Sequence, residues 1–279
     1  MPSFRKPGCL GVCLLLGVAP VVALMALAPA DSAAARVPRR CAAPPHANAD
    51  YAHCNLTGAN FSGADLADAN FKNATLTGAT LGSADLSGAT LAGVVSGGIT
   101  GTPASLPSGW VVVDGYLVGP QAILTGANLT GADLTGADLS KANLTSVNLS
   151  GANLTDATVK GSKLQGTVLA GATLTGVVSG GTITGTPASL PPGWALVGAR
   201  VRYLVGPAAN LTSADFYGAN LAGTDHADAT LTAANLTDAN LAGANLAGAN
   251  LSSVIWSDTI CPDGTNSNND GDTCIDNLG

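Results

Sequence analysis

Hydrophobic and polar positions recur along most of this chain with a period of five. From Ala122 to Thr175, Leu or Val stands at 124, 129, 134, 139, 144, 149, 154, 159, 164, 169 and 174. With that position as the centre of a unit, Ala usually lies two places before it and Asn, Asp or Thr one place before. A polar residue follows, and Gly is frequent two places after, as at Gly126, Gly131, Gly136 and Gly151. Five is neither the 3.6 of an amphipathic helix nor the 2 of an alternating strand, so the segment is a repeat architecture. Each unit is a short extended piece ending in a corner, where Gly accepts positive φ. One unit buries almost no apolar surface, so stability has to come from coil stacked on coil. Small Ala beside large Leu suits a narrow, fully packed interior.

The same spacing defines three arrays: residues 49–93, with Tyr51, Phe61 and Phe71 among the centres; 122–176; and 209–258, ending on Trp256. Together they make thirty units, or 150 of 279 residues. These units resemble the pentapeptide-repeat family, whose pattern is Ala-(Asn/Asp)-Leu-X-X. The resemblance implies an all-β fold, a right-handed parallel β-solenoid: a quadrilateral coil of four units with the centre and minus-two residues pointing inward. Residues twenty apart then stack at about 4.8 Å, which places Asp65 under Asp85 and Asp238 under Asp258. Such pairs either hold a cation or raise a pKa, or are tolerated on a solvated face.

Two inserts interrupt the period, at 94–121 and 177–208. The stretch from Gly93 to Pro120 is closely copied from Gly176 to Pro207, so array plus insert is itself duplicated. In the first insert Trp110-Val-Val-Val, Asp114-Gly115 and Tyr116-Leu-Val predict a β-hairpin with a two-residue turn. The second has three more residues between Trp194 and Tyr203, including Arg200 and Arg202, which gives a longer, cationic tip. If each insert supplies one side of a coil, insert and array repeat every twelve units, or three whole coils. The hairpins would then project from one side, about 14 Å apart. Trp110, Tyr116, Trp194 and Tyr203 would form a surface for a protein partner or for self-association. The alternative is that each hairpin folds back over its own coil and buries its Trp.

The ends read differently from the arrays. Residues 1–30 look like an export signal: Arg5 and Lys6, an uncharged run from Gly8 to Ala30, and small residues at Ala28-Pro29-Ala30 for cleavage. The long apolar run leaves a membrane anchor open if the leader is uncleaved. Residues 31–48 form a linker or cap. Of six cysteines, Cys9 and Cys13 fall in the leader, Cys41 before the first array and Cys54 at its start, and Cys261 and Cys274 in a C-terminal cap at 259–279. In an exported chain such pairs read as disulfides. Three pairings are formally possible, and 41–54 with 261–274 closes each raw end of the solenoid. Secretion or a cell-envelope location follows.

Without Arg5 and Lys6, nine basic residues face eighteen acidic ones, all of them Asp. The complete absence of Glu argues against helices. No basic patch interleaved with aromatics points to nucleic acid, and no acid–base pair, nucleophile arrangement or phosphate loop points to an enzyme or a cofactor. His226 takes a centre position where Leu is expected, as a buried structural histidine or as a ligand. His46 and His53 flank Cys41 and Cys54, which makes zinc the alternative to a disulfide. Asn266, Asn268, Asp270 and Asp272 have some calcium-loop character, but position twelve is Asn277 rather than Glu. Asn-Leu-Thr/Ser sequons such as Asn128 and Asn210 fall out of the repeat and carry little information.

The leading function is a non-enzymatic exported scaffold for protein interaction or structure. Topoisomerase inhibition by DNA mimicry is implied by the resemblance to cytoplasmic members of the family. Ice or polysaccharide binding is suggested by the Thr-X-Thr pairs at Thr75/Thr77, Thr173/Thr175 and Thr230/Thr232.

Overall fold

A computed structural model of the chain describes residues 39–198 and 201–277. The leader with Cys9 and Cys13, and Arg200 in the second insert, lie outside the described residues. In unit after unit, the residue before the centre makes a parallel bridge to the residue twenty places on: Asn55 to Thr75, Asn128 to Asn148, Asn220 to Asn240. Twenty residues are four units, so each coil has four sides. The bonds run along the stacking axis. Leu56 N–H donates to the Thr75 carbonyl at 2.8 Å, and Thr75 N–H donates to the Cys54 carbonyl at 2.9 Å. Among the described residues there is no α-helix.

The corners follow from the same five residues. Ala59 N–H donates back to the Leu56 carbonyl at 3.0 Å, closing a four-residue turn whose third residue, Gly58, has φ of 69°. Positive φ at that place is the requirement of a type II turn. Asp68, Ser146, Asp156 and Ala233 adopt the same conformation at φ of 56–57°, although a Cβ there costs about 1 kcal/mol or more relative to Gly.

Inside, the Leu centres and the Ala residues two places before them are almost wholly enclosed, as at Leu129, Ala142 and Leu149. The first coil is closed by aromatic centres. Tyr51 stacks on Phe71 with ring centroids 5.1 Å apart, and Phe61 meets Phe71 edge-on at 5.9 Å. Trp256 is buried at the other end. The apolar interior forms two clusters, one running from Ala49 to Leu204 and one from Tyr203 to Cys274. They meet at the second insert.

The inserts differ from the sequence expectation in an instructive way. Each continues the coil for three sides before departing from it. Val95, Thr100 and Ser105 bridge to Thr75, Thr80 and Asp85; in the second copy Val178, Thr184 and Ser189 bridge to Thr158, Lys163 and Val168. Only the fourth side is replaced by an antiparallel pair. In the first copy β1 (Val111–Val113) pairs with β2 (Tyr116–Val118) across Asp114 and Gly115, both at positive φ, as a type I′ turn requires. In the second, β3 (Ala195–Val197) pairs with β4 (Tyr203–Val205). A buried serine pins each second strand: Leu117 N–H donates to Ser96 Oγ at 2.9 Å, and Leu204 N–H to Ser179 Oγ at 3.1 Å.

An insert therefore completes a whole coil rather than a single side. Between the strand pairs lie twelve sides from Ile123 to Val178, then Thr184 and Ser189, so the second pair comes fifteen sides after the first. Fifteen is one short of four coils. The pairs stand on neighbouring sides of the rod, about 18 Å apart along it at the usual strand spacing, and not in line on one side.

Candidate functional site

Of the two arrangements open to Trp110, Tyr116, Trp194 and Tyr203, the rings take the one that folds back over the coil and not the exposed surface. Trp110 is 9% exposed and Tyr203 7%, while Tyr116 and Trp194 are half-buried. Glycines make the room for them. A Cβ at Gly119 would lie 2.2 Å from the Trp110 ring, one at Gly206 2.3 Å from Trp194, and one at Gly180 2.4 Å from Tyr203. Tyr203 also packs on Phe216 at 4.7 Å, and its hydroxyl accepts from Asp215 N–H at 2.9 Å. Folding back buries large rings that would be costly to leave in water, and the Gly positions remove the steric obstacle.

What stands exposed beside the second strand pair is a different aromatic. Tyr217, 63% exposed, borders a cleft of about 560 Å³ together with Asp215, Asn235, Ala219 and Val201. Asn235 Nδ2 donates to Asp215 Oδ1 at 3.2 Å, and Asp215 Oδ1 also accepts from Tyr217 N–H at 3.2 Å. Tyr217 is weakly marked in the sequence. Its only signal was a large ring at a plus-one position, where Thr, Ser or Ala is the rule.

Both pairs of end cysteines are bonded, Cys41 to Cys54 and Cys261 to Cys274, with Cα atoms 5.4 Å apart in each. Bonded sulfurs are not available as thiolate ligands, so the zinc alternative at Cys41, His46, Cys54 and His53 fails. His46 Nδ1 lies 2.7 Å from the Ala47 carbonyl instead. Among the described residues, no group of three or more His, Cys, Asp or Glu is placed to hold a metal ion. The C-terminal loop contains a capped turn. Asn266 Oδ1 caps the 3₁₀ turn at Ser267–Asp270 by accepting from Asn268 N–H. The Asn268 side chain reaches away to Asp258, accepting from its N–H at 2.9 Å and donating to its carboxylate at 2.6 Å.

His226 is fully enclosed in the coil. Thr224 Oγ1 lies 2.6 Å from the Leu221 carbonyl and 2.7 Å from His226 Nε2. The single hydroxyl proton of Thr224 is used on Leu221, so the hydroxyl accepts from Nε2–H. Burial keeps the ring neutral with Nδ1 unprotonated, and Nδ1 has no partner in its buried position. Burial lowers the pKa to about 4, against a smaller raising effect from the Asp225 charge. The adjoining Thr224 hydroxyl spends its proton on the Leu221 carbonyl, and the ring is enclosed; the geometry suits a structural residue.

Asp85, bridged to Asp65, has a lowered pKa because the Ser105 hydroxyl donates to it, helped by the Ser87 backbone N–H and hydroxyl. Asp133 is lowered in the same way by Thr135. The threonine hydroxyls are engaged similarly. Those of Thr130, Thr135, Thr145 and Thr155 donate at 2.6–2.7 Å to the Asn or Asp two places before them. These four protons stabilise their own corners.

Comparison with known proteins bears on the repeat. The family model for pentapeptide repeats matches in eight copies, over residues 54–93, 122–161, 152–178 and 227–255. A search of curated proteins finds no match. Among solved structures, the chain is similar to HetL, a pentapeptide repeat protein involved in heterocyst differentiation regulation from the cyanobacterium Nostoc sp. strain PCC 7120. The two are 24% identical over 82% of this chain and 96% of HetL, with a TM-score of 0.33. A pentapeptide repeat protein of the Arabidopsis thaliana thylakoid lumen is 30% identical over 46% of this chain and 59% of its own, with a TM-score of 0.16. QnrB1, a plasmid-mediated fluoroquinolone resistance protein, is 16% identical over 74% of this chain and 78% of its own, with a TM-score of 0.22. The stretches matched by the family model are the ones that coil in twenties with Leu and Ala enclosed, and these repeats of the chain are pentapeptide repeats.

Proposed function

We propose that this protein is an exported, non-enzymatic scaffold: a rod, wound right-handed as the family resemblance implies, that meets a protein partner or serves a structural role at the cell envelope. The carrying observation is the pair of disulfides, one at each raw end of the solenoid. Such bonds form and persist in oxidising compartments and are rare in the cytosol. Each end would otherwise expose unpaired backbone and apolar interior, and the adjoining residues are organised to cover it. At the C-terminal end Ile260 bridges antiparallel to Asn266, and Ser267 donates to the Trp256 carbonyl. At the N-terminal end the Tyr51 hydroxyl donates to the Ala43 carbonyl at 3.2 Å. The partner-contact surface in this reading is the cleft beside β3 and β4 that Tyr217 borders.

Cell fractionation with N-terminal sequencing and thiol alkylation tests it. The expected chain lies outside the cytoplasm, begins near Asp31 and carries no alkylatable thiol at its four remaining cysteines. A cytoplasmic chain with Met1 intact and free thiols sinks the proposal.

A further inference from the structure

The rod has one edge unlike the others. The corner after the Tyr51 side carries, coil by coil, Ala52–His53, Lys72–Asn73, Ala92–Gly93, Pro120–Gln121, Ser140–Lys141 and Lys160–Gly161. Backbone bonds define the order. Asn73 N–H donates to Ala92, Gly93 N–H to Gln121, Gln121 N–H to Ser140 and Lys141 N–H to Lys160, at 2.7–3.0 Å. Lys163 stands on the adjoining side, bridged to Asn143. Every lysine of the sequence after Lys6 is therefore on this edge or on the side that adjoins it. Lys72, Lys141 and Lys163 line a notch of about 260 Å³ with the amides of Asn73, Gln121 and Asn143, floored by Ala92, Gly93 and Ile123.

No acidic residue lines the notch, in a protein of net charge −7. Asp occupies comparable corner positions elsewhere, at Asp68, Asp156, Asp228, Asp238 and Asp258. The single ion pair among the described residues is Arg40–Asp50, so none of the four lysines is paired with a carboxylate there. The fold does not demand lysine at these places, since Ala52 and Ala92 fill the position of Lys72 one coil below and one above. Like charges gathered on one edge repel, and a ligand of opposite charge removes that cost. Lysine ammonium groups bind phosphate as point charges, and amide N–H groups complete the donor set.

We propose that this edge binds a multiply charged oxyanion: a ligand bearing two or more phosphate or sulfate groups, held by Lys141 and Lys163 and reached across the Ala92–Gly93 notch by Lys72. Lys72 lies three coils from Lys141, about 14 Å at the usual spacing. A ligand with several charges in a row engages both ends of the notch, and a single phosphate only one. This goes beyond the scaffold reading and does not depend on it, because the edge is set by the coil register and not by export.

Calorimetric titration of the purified protein with tripolyphosphate tests the site, with orthophosphate and sucrose octasulfate as parallel probes. The expected result is saturable binding with one tripolyphosphate per chain, tighter than orthophosphate and weakening as salt is raised. The Lys141→Gln/Lys163→Gln variant should bind at least about ten-fold more weakly, with its melting temperature unchanged, since both side chains are exposed. Arg40→Gln, a charge change away from the notch, should leave binding as it was. Tighter binding of octasulfate than of tripolyphosphate assigns the natural ligand to sulfate esters, and the reverse to phosphates. Absence of saturable binding, retention of affinity in the double variant, or an equal loss in Arg40→Gln overturns the proposal.

Discussion

His226 offers a quantitative test of how the coil interior treats a titratable group. It occupies a position that Leu fills elsewhere, is fully enclosed, and has its pKa lowered by burial to about 4 from 6.5. A base with a depressed pKa in the folded state binds its proton more readily when unfolded. Stability is therefore complete above the unfolded pKa of 6.5 and is lost as pH falls toward 4. The difference between those values corresponds to roughly 3 kcal/mol in full, and to about 2 kcal/mol between pH 7.5 and pH 5. For a domain of this size that is a fall of roughly 4–8 °C in melting temperature. His226→Leu restores the residue of the repeat, abolishes this dependence and removes the unpaired Nδ1. A buried unsatisfied acceptor costs about 1–3 kcal/mol, so the variant should also melt higher at pH 7.5. Thr224 keeps its bond to the Leu221 carbonyl. Differential scanning calorimetry of both proteins at pH 7.5, 6 and 5 is the assay. The reasoning is refuted if the wild-type melting temperature is flat over this range, or if the variant falls as steeply as the wild type.

Leu149→Asp places a carboxylate in the enclosed interior and should cost more than about 4 kcal/mol, whereas Ser150→Asp at the neighbouring corner should cost under about 1 kcal/mol; equal shifts in denaturant midpoint would contradict the inward assignment. Ala233 sits at φ of 56° on the surface, so Ala233→Gly should raise stability by up to about 1 kcal/mol. Gly93→Ala should do the reverse and more, because its Cβ would meet Asn73 Oδ1 at 2.0 Å; urea melts of the two variants decide. Reduction of Cys261–Cys274, or Cys261→Ser with Cys274→Ser, opens a loop of sequence separation 13 and should lower stability by roughly 3 kcal/mol. Unchanged urea unfolding under reducing conditions would show that the cap holds without its bond.

By itself the sequence determined the coil. A five-residue period cannot be satisfied by a helix or a flat strand, and Leu at the centre with Ala two places before leaves one way for each unit to face. The places of inward Leu129 and Leu149, of the positive-φ corners and of the enclosed His226 were legible for that reason. So was the role of Cys41, Cys54, Cys261 and Cys274 as end closures, since a solenoid has two raw ends. The register across the inserts was not legible. Val95, Thr100 and Ser105 lack the Ala-Asn-Leu signature, yet they carry three sides of a coil because backbone bridges need only an extended residue of the right spacing, whatever its side chain. Their contribution turns the second strand pair onto a neighbouring side. The burial of Trp110 and Tyr203 was equally hidden, because it depends on Gly119 and Gly180 lying under the rings, a contact between segments and not a property of either. The lysine edge belongs to the same class. Lys72 and Lys141 are 69 residues apart, not a multiple of the twenty-residue coil. They share a corner only because the first insert makes its coil 28 residues long, from Val95 to Ile123. Period is a local property that each unit repeats. Alignment of side chains along the rod is the running sum of every coil's length, and only the folded chain fixes that sum.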